Sequence, residues 1–421
     1  MNPGYNRQQE AKPAGRASLG IYANTVHAPD SQKPKRKTGS EALDAPRRMR
    51  YQLQRTAQGL LPGERVKHCQ RSCMNENGVS VFRTGDKGAS FGNLSTCGSV
   101  WHCPICAAKI TEQRRIELQN AISAWAKTGG KVYLMSQTFP HQLNHLLADN
   151  LKLFSTAQTK FKNSRSYKGI LEQAGCLGSI RALEVTHGAN GWHPHTHTLV
   201  FASPDQLELL KRLDMVWINT LIKIGLADRD QVNEMLLYAF DVQAGDYAAE
   251  YVAKFGHEPS TASKTLTDSH WGASHELTKG NAKIGRRLSG RTPFTLLRDF
   301  AEGDTGAGEL FIEYAKQFKG KRQLFWSPKL RKALVLPEEE KTDEEIAAEE
   351  MPERELVIIL NHDMWKLVLS RNARWNVLQA AEFGREAVEE LLADLAQRPA
   401  SHQGVYFYKG HFSGNWHLLD A

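Results

Sequence analysis

Apolar residues recur at two different periods along the middle of this chain, and the switches between them predict its order of elements. From Ala107 to about Lys127, Leu118, Ala121, Ile122 and Trp125 fall at three- and four-residue spacing on one helical face, and Gly129-Gly130 ends the run. Lys131 to Thr138 reads as a buried strand stopped at Pro140, and a long helical region follows from about Leu143 to Gln173. Ser179 to His187 and Trp192 to Ser203 read as strands on either side of Gly188-Ala189-Asn190-Gly191. Asn-Gly between strand-forming residues is a strong hairpin signal. A helix from Asp205 to Ile224, a short strand near Leu237 to Val242 and a helix over Asp246 to Phe255 complete a predicted α+β core.

Outside this core the periodicity weakens. Short strand-like pieces such as Val79 to Arg83, parted by Gly and Asn turns, lie among the cysteines upstream. Downstream, Thr292-Pro293-Phe294 opens a helix through Phe300, and Glu313 to Lys332 mixes helix with basic loop around Phe325 and Trp326. Thr342 with Glu345 forms a capping box inside the acidic run Glu338 to Glu355. These shifts divide the chain into a basic, mostly disordered arm (1–60), a cysteine module (61–115), the α+β core (116–260) and a basic extension (261–335). An acidic, solvated linker or helix (336–355) and a small C-terminal unit of unassigned role (356–421) follow.

Composition narrows the partners. With 421 residues and 41% hydrophobic content the chain can bury substantial cores, and its formal charge of +8 favours a polyanion. The excess sits in the N-terminal arm and in the extension, where Lys283, Arg286, Arg287, Arg291, Lys321 and Arg322 are candidate phosphate contacts. No apolar run is long enough to span a bilayer and no secretory signal opens the chain, so a cytoplasmic protein with no membrane partner is expected. The chain has no Gly-x4-Gly-Lys-Ser/Thr phosphate loop, which argues against a built-in ATP-driven helicase.

The strand Trp192-His193-Pro194-His195-Thr196-His197 carries the densest candidate chemistry. If Asn190-Gly191 forms a two-residue turn, Thr186 pairs with His195 and Glu184 with His197, all on one face because strand side chains alternate. Two imidazoles and a carboxylate would then converge, a set suited to Mg2+, Mn2+ or a later first-row ion with positions open for phosphate oxygens. His193 shares the face nearer the turn and suits a substrate contact. The competing reading is a half-buried strand whose polar residues simply alternate.

Tyr247 and Tyr251 stand one helical turn apart, with Lys254 close behind. A phenol needs help to lose its proton near neutrality, and a nearby ammonium and a metal-polarised phosphate both supply it. Two tyrosines on an amphipathic helix can equally be core residues. Cys103-Pro104-Ile105-Cys106 is a Cys-x2-Cys knuckle, and Cys97 with Cys69 would complete a tetrahedral structural zinc site, with Cys73 or His68 as alternatives to Cys69. Cys176 stands apart as a buried thiol.

With these residues in view the chain resembles the plasmid rolling-circle replication initiators, the Rep proteins of the His-hydrophobic-His (HUH) endonuclease superfamily. The matches are Thr96 to Ala107, Trp192 to His197 and Tyr251-Val252-Ala253-Lys254-Phe255, with Thr292 to Leu297 and Leu324-Phe325-Trp326-Ser327 also similar; they span about residues 65 to 335. The resemblance implies a ferredoxin- or RRM-like core, a four- or five-stranded antiparallel sheet with the histidines on a central strand. It implies His195 and His197 as metal ligands, Tyr251 as nucleophile and Lys254 as its cationic neighbour. Many such initiators have Glu four residues before the nucleophile, whereas this chain has Tyr247, as in two-tyrosine phage initiators and transposases. Thr196 is less apolar than the motif's middle position.

The function expected is origin-specific nicking and rejoining of DNA through a 5′-phosphotyrosine intermediate. Mg2+ or Mn2+ would be the catalytic ion and Zn2+ the structural one. The partners expected are single-stranded or hairpin origin DNA and a host helicase and polymerase, with self-association left open. A two-tyrosine transposase and a non-enzymatic zinc-containing DNA-binding regulator are the alternatives.

Overall fold

The computed structural model describes residues 39–85, 88–244, 290–337, 340–350 and 353–397, together with a two-stranded pairing of Tyr406–Phe407 with His417–Leu418. Its central element is a five-stranded antiparallel sheet built from β3 (Lys131–Gln137), β4 (Gly178–Gly188), β5 (Gly191–Ala202), β6 (Phe240–Gln243) and β7 (Leu324–Trp326), in the order β6-β3-β5-β4-β7. A second sheet pairs β1 (Val79–Arg83) with β2 (Ala89–Gly92) on one side and with β8 (Glu355–Leu360) on the other.

Each face of the central sheet has its own cover. Helices α3 (Leu147–Asn163), α4 (Arg165–Gln173), α6 (Leu213–Lys223) and α7 (Val232–Tyr238) lie on one face, where Phe154, Phe161, Tyr167, Trp217 and Ile218 pack on Tyr133, Met135, Val200 and Val242. The predicted long helix over 143–173 is two helices, because Ser164 leaves the helical path and caps α4 through its hydroxyl, which accepts from Tyr167 N. Short α5 (Leu207–Lys211) precedes α6. The C-terminal half of α2 (Pro104–Lys127) covers part of the other face, setting Leu118 and Ala121 against Val132, Leu134, Ile180, Ala182, Leu199 and Phe201.

Helix α2 is 24 residues long, about 36 Å at the usual rise per residue. Its first turns belong to a different core, formed by the cysteines, Leu53, Ala57, Ile110, Leu147, Val185, Trp192, Phe311 and Phe318. The cysteine region and the histidine sheet therefore share a rigid strut.

Four expected segments differ. Residues 39–60 of the basic arm form helix α1 (Gly39–Leu60), with Leu53 and Ala57 buried and Gln58 Nε2 donating to Val66 O and Cys69 O at 3.1 and 3.0 Å. The acidic run is not simply a solvated face. Glu340 and Asp343 accept from the buried Arg114 of α2 at 3.0 and 2.9 Å, and Ile346 and Ala347 enter the cysteine-side core behind the Thr342/Glu345 capping box. The C-terminal unit is continuous with the cysteine module, because β8 pairs with β1 and Trp365, Val368, Val377 and Leu378 pack on Val79 and Val81. The basic extension also contributes to the main sheet through β7, while helices Pro293–Ala301 and Thr305–Phe318 join the cysteine-side core.

Candidate active site

The site occupies the end of the α2-covered sheet face that α2 does not reach. On that face the side chains run from the apolar Ile180, Ala182, Leu199, Phe201, Val132 and Leu134 to Glu184, His197, His195, His193, Ser136 and Thr138. The face thus changes from apolar to polar along three adjacent strands, with Glu184, the three histidines and Ser136 half-buried and Thr138 buried.

The hairpin register differs from the expectation. The turn is Ala189-Asn190, with Gly188 opposite Gly191, so Glu184 pairs with His195, Thr186 with His193 and Ala182 with His197. Ala189 and Asn190 keep negative φ, and the left-handed backbone falls on Gly191 at φ +81°, where a Cβ would lie 2.9 Å from Leu143 Cα. The shift is two residues rather than one, so the same side chains stay on the same face.

Glu184, His195 and His197 each offer a ligand atom, and these atoms all lie within 4.8 Å of one another. His195 Nε2 is 3.3 Å and His197 Nε2 3.8 Å from Glu184 Oε2. Adjacent ligands around a small divalent ion held at about 2.1 Å stand about 3 Å apart, so the set fits such an ion with little movement. The other ring nitrogens are occupied: His197 Nδ1 meets Ser136 Oγ at 2.8 Å, and His195 Nδ1 meets the His193 carbonyl at 3.2 Å. Both rings are thus oriented with Nε2 toward the carboxylate, as metal-binding imidazoles are by outer partners.

His193 is placed differently. Its Nε2 is 2.6 Å from Thr138 Oγ1 and its ring stacks on His141 at 4.8 Å. Burial, with His195, His141 and His197 nearby, holds it well below the ordinary histidine range, so it is neutral. It lies outside the three-residue ligand set. Ser136, Thr138 and His141 were not singled out in the sequence; their only signal there is their position at the end of the β3 strand pattern.

Thr196 points to the opposite face and is fully buried. Its hydroxyl accepts from Gln158 Nε2 of α3 at 2.9 Å, and the same amide donates to Gln137 Oε1 at 3.0 Å. The polar middle residue of the motif is therefore satisfied inside the fold.

Tyr247, Tyr251 and Lys254, and also Lys283, Arg286 and Arg287, lie outside the described residues. The strand leading to the tyrosines is described: Asp241 of β6 pairs with Ser136, which pairs with His197, so β6 passes the histidines at a distance of two strands. Arg291 pairs with Asp304 and Asp299 at 2.9 and 3.5 Å and extends β4 through a backbone bridge to His187. Lys321 and Arg322 are exposed.

At the far end of α2 the sulfurs of Cys69, Cys97, Cys103 and Cys106 form a second buried cluster. Their Sγ separations of 3.5, 3.6 and 3.7 Å approach the edge of about 3.8 Å for a tetrahedron with 2.3 Å metal–sulfur bonds. Cys69 takes the fourth corner; Cys73 sits in a β-bridge with Leu94, and neither it nor His68 belongs to the cluster. Gln54 Nε2 donates to Cys103 Sγ at 3.2 Å and its Oε1 accepts from Arg374 at 2.7 Å. Arg374 is 3% exposed, and no carboxylate pairs with it among the described residues. Burial lowers its guanidinium to about 10, partly offset by Tyr51, Cys69 and Cys103. A buried cation beside four sulfurs is complementary to a metal tetrathiolate, whose net charge is negative. Cys176 lies apart, its thiol pushed up by burial.

Both clusters could therefore bind metal ions. No helix among the described residues is long and apolar enough to cross a membrane.

No protein-family model and no solved structure matches the chain. Among curated proteins it is similar to "Protein rep" of Streptomyces lividans, 26% identical over an alignment of 381 positions that covers 75% of this chain and 81% of that protein. A shorter stretch is 30% identical over 148 residues to a neomycin resistance protein of Streptomyces cyanogenus, covering 29% of this chain and 34% of that one. The resemblance to plasmid Rep proteins carried by the cysteine, histidine and tyrosine motifs thus extends over three quarters of the chain.

Proposed function

We propose that the protein is a plasmid replication initiator of the HUH type that nicks and rejoins a DNA strand. The observation that carries this reading is the convergence of His195 Nε2, His197 Nε2 and Glu184 at the hairpin end of the central strand pair. The similarity to a Rep protein supports it at the level of process.

Mg2+ or Mn2+ held by these three side chains would supply Lewis-acid polarisation of a scissile phosphate. Ser136 and the His193 carbonyl keep the two imidazoles aimed at Glu184. Tyr251 attacks phosphorus through its phenolate, with Lys254 stabilising that anion. The phosphorus–O3′ bond breaks, the 3′ oxygen leaves and takes up a proton, and the 5′ phosphate stays on the tyrosine. The free 3′ hydroxyl is then a primer. Tyr247, in the place of a water-activating carboxylate, makes the second strand transfer that ends the cycle.

Zn2+ held by Cys69, Cys97, Cys103 and Cys106 would be structural, fixing the N-terminus of α2, with Gln54 of α1 and Arg374 of the C-terminal unit linked to the same cluster. Acting on origin DNA, and without an ATP-binding loop, the protein works in the cytoplasm with a host helicase and polymerase.

The test is a cleavage assay on single-stranded and hairpin DNA from the replicon's own origin, with Mn2+. Wild type should cleave, and His195→Ala and His197→Ala should each lose at least a hundredfold in rate. Tyr247→Phe should nick but not terminate. Cleavage by the histidine variants at the wild-type rate removes the reading.

A further inference from the structure

The Leu324-Phe325-Trp326-Ser327 segment takes no part in either metal cluster. Its last three residues line a cleft of about 290 Å³ with Lys162, Tyr167, Ser179, Arg181 and Pro328. Phe325 is paired with Arg181 across the β7–β4 ladder, and the guanidinium carbon lies 4.6 Å above the Phe325 ring. Lys162 comes from α3, so two cations from different elements meet in one half-buried recess.

Neither cation has a carboxylate partner among the described residues. Arg181 Nε is a buried donor without an acceptor. Burial and the neighbouring guanidinium hold the Lys162 ammonium down to about 8, and burial likewise lowers Arg181. Two like charges sharing a recess, with a guanidinium donor left over, repel each other unless an anion joins them. Beside them Phe325 remains 38% exposed, giving a ring face at the mouth. Cations at depth with an aromatic ring at the rim suit a phosphodiester group and its adjacent base.

We propose that this cleft binds a phosphate of single-stranded DNA, with Lys162 and Arg181 on the phosphate and Phe325 stacked on the neighbouring base. The proposal rests on the reading that the protein handles a DNA strand, and it extends that reading to a second, non-catalytic contact. β7 is an edge strand. Arg181 precedes Glu184 by three residues on β4, about 10 Å along the strand and on the opposite face. A strand passing from the metal cluster round the β7 edge would reach the cleft after a short run of nucleotides.

The test is a footprint on the full-length protein. Lys162 is labelled with an amine-acetylating reagent, alone, with oligothymidylate, or with inorganic phosphate at equal phosphate concentration, and the modified peptide is quantified. The expected result is protection by oligothymidylate of at least fivefold, with inorganic phosphate giving little. In parallel, Lys162→Gln with Arg181→Gln should weaken oligothymidylate binding about tenfold and lower the salt slope by about 0.7, the share of one phosphate contact. Phe325→Leu should weaken binding with the salt slope unchanged.

Protection by inorganic phosphate but not by oligothymidylate would make this a free-phosphate site and overturn the proposal. So would no protection by either. Because the footprint uses wild type, a variant that misfolds leaves it readable. Protection by oligothymidylate without any metal-dependent cleavage would remove the nicking reading and leave the cleft standing; cleavage without protection would do the reverse.

Discussion

His197 Nδ1 lies 2.8 Å from the Ser136 hydroxyl while Nε2 of the same ring faces Glu184 at 3.8 Å. The pairing of β3 with β5 sets this, since Ser136 and His197 are direct partners in the ladder. The hydroxyl fixes both the ring's rotation and which nitrogen is free. Ser136→Ala should therefore weaken Mn2+ binding about 10- to 100-fold, the usual cost of losing an outer partner of a metal-binding imidazole. Calorimetric titration of Mn2+ into zinc-loaded protein measures it, and an unchanged affinity would show that the hydroxyl does not orient the ring.

Behind the site, Gln158 donates to both Thr196 and Gln137 in a fully enclosed layer. Gln158→Leu leaves two buried acceptors without their donor, which should cost about 1–3 kcal/mol of stability. Denaturant unfolding gives the value. The loss in Mn2+ affinity should be smaller than for Ser136→Ala, because the network supports the strands rather than a ligand.

Much of the sheet could be read directly from the chain. β5 alternates through its histidine half because there one face is polar and the other buried, whereas β3 is a continuous apolar run covered on both faces. The convergence of the four cysteines was expected from their spacing and that of Glu184, His195 and His197 from strand alternation, although the hairpin turn moved by one residue and the pairing by two. Helix α1 was not legible: its inward face carries Gln54 and Gln58, which serve the cysteine loop by hydrogen bonds and so leave a weak hydrophobic pattern. The pairing of β8 with β1 joins residues nearly three hundred positions apart, and no local period announces such a contact. Arg374, likewise, has no motif around it; only its burial beside sulfur gives it meaning.

Arg374 offers a test of the zinc cluster that separates charge from packing. In zinc-loaded protein Arg374→Met should release zinc to a chelator at least tenfold faster, whereas Arg374→Lys should fall between. Breaking one side of a buried charge pair typically costs about 3–5 kcal/mol. In metal-free protein the sign should reverse or vanish, because the substitution then removes an unpaired buried cation. Equal destabilisation with and without zinc would mean that Arg374 only fills space.

The Lys162 ammonium is depressed to about 8 in the folded protein, below its unfolded value of about 10.4. Between those two values the unfolded chain binds the extra proton, so folding stability should rise with pH across that window and Lys162→Gln should remove the rise. The charge available to an anion runs the other way: it is present below about pH 8 and lost above it. Oligothymidylate affinity should therefore fall as pH increases through about 8, more gradually if bound phosphate raises the lysine. Anisotropy titrations at several pH values check this, and an identical profile in Lys162→Gln would exclude the lysine from binding.

The central claim is that a tyrosine of this chain becomes covalently joined to a cut strand beside the histidine cluster. Full-length protein incubated with Mn2+ and single-stranded DNA from its own origin, digested and mapped by mass spectrometry, measures this directly. The account predicts a nucleotide adduct on the peptide carrying Tyr251, absent without the metal and absent from Tyr251→Phe. Cleaved DNA with no protein adduct, or an adduct that persists in Tyr251→Phe at the wild-type level, would contradict it.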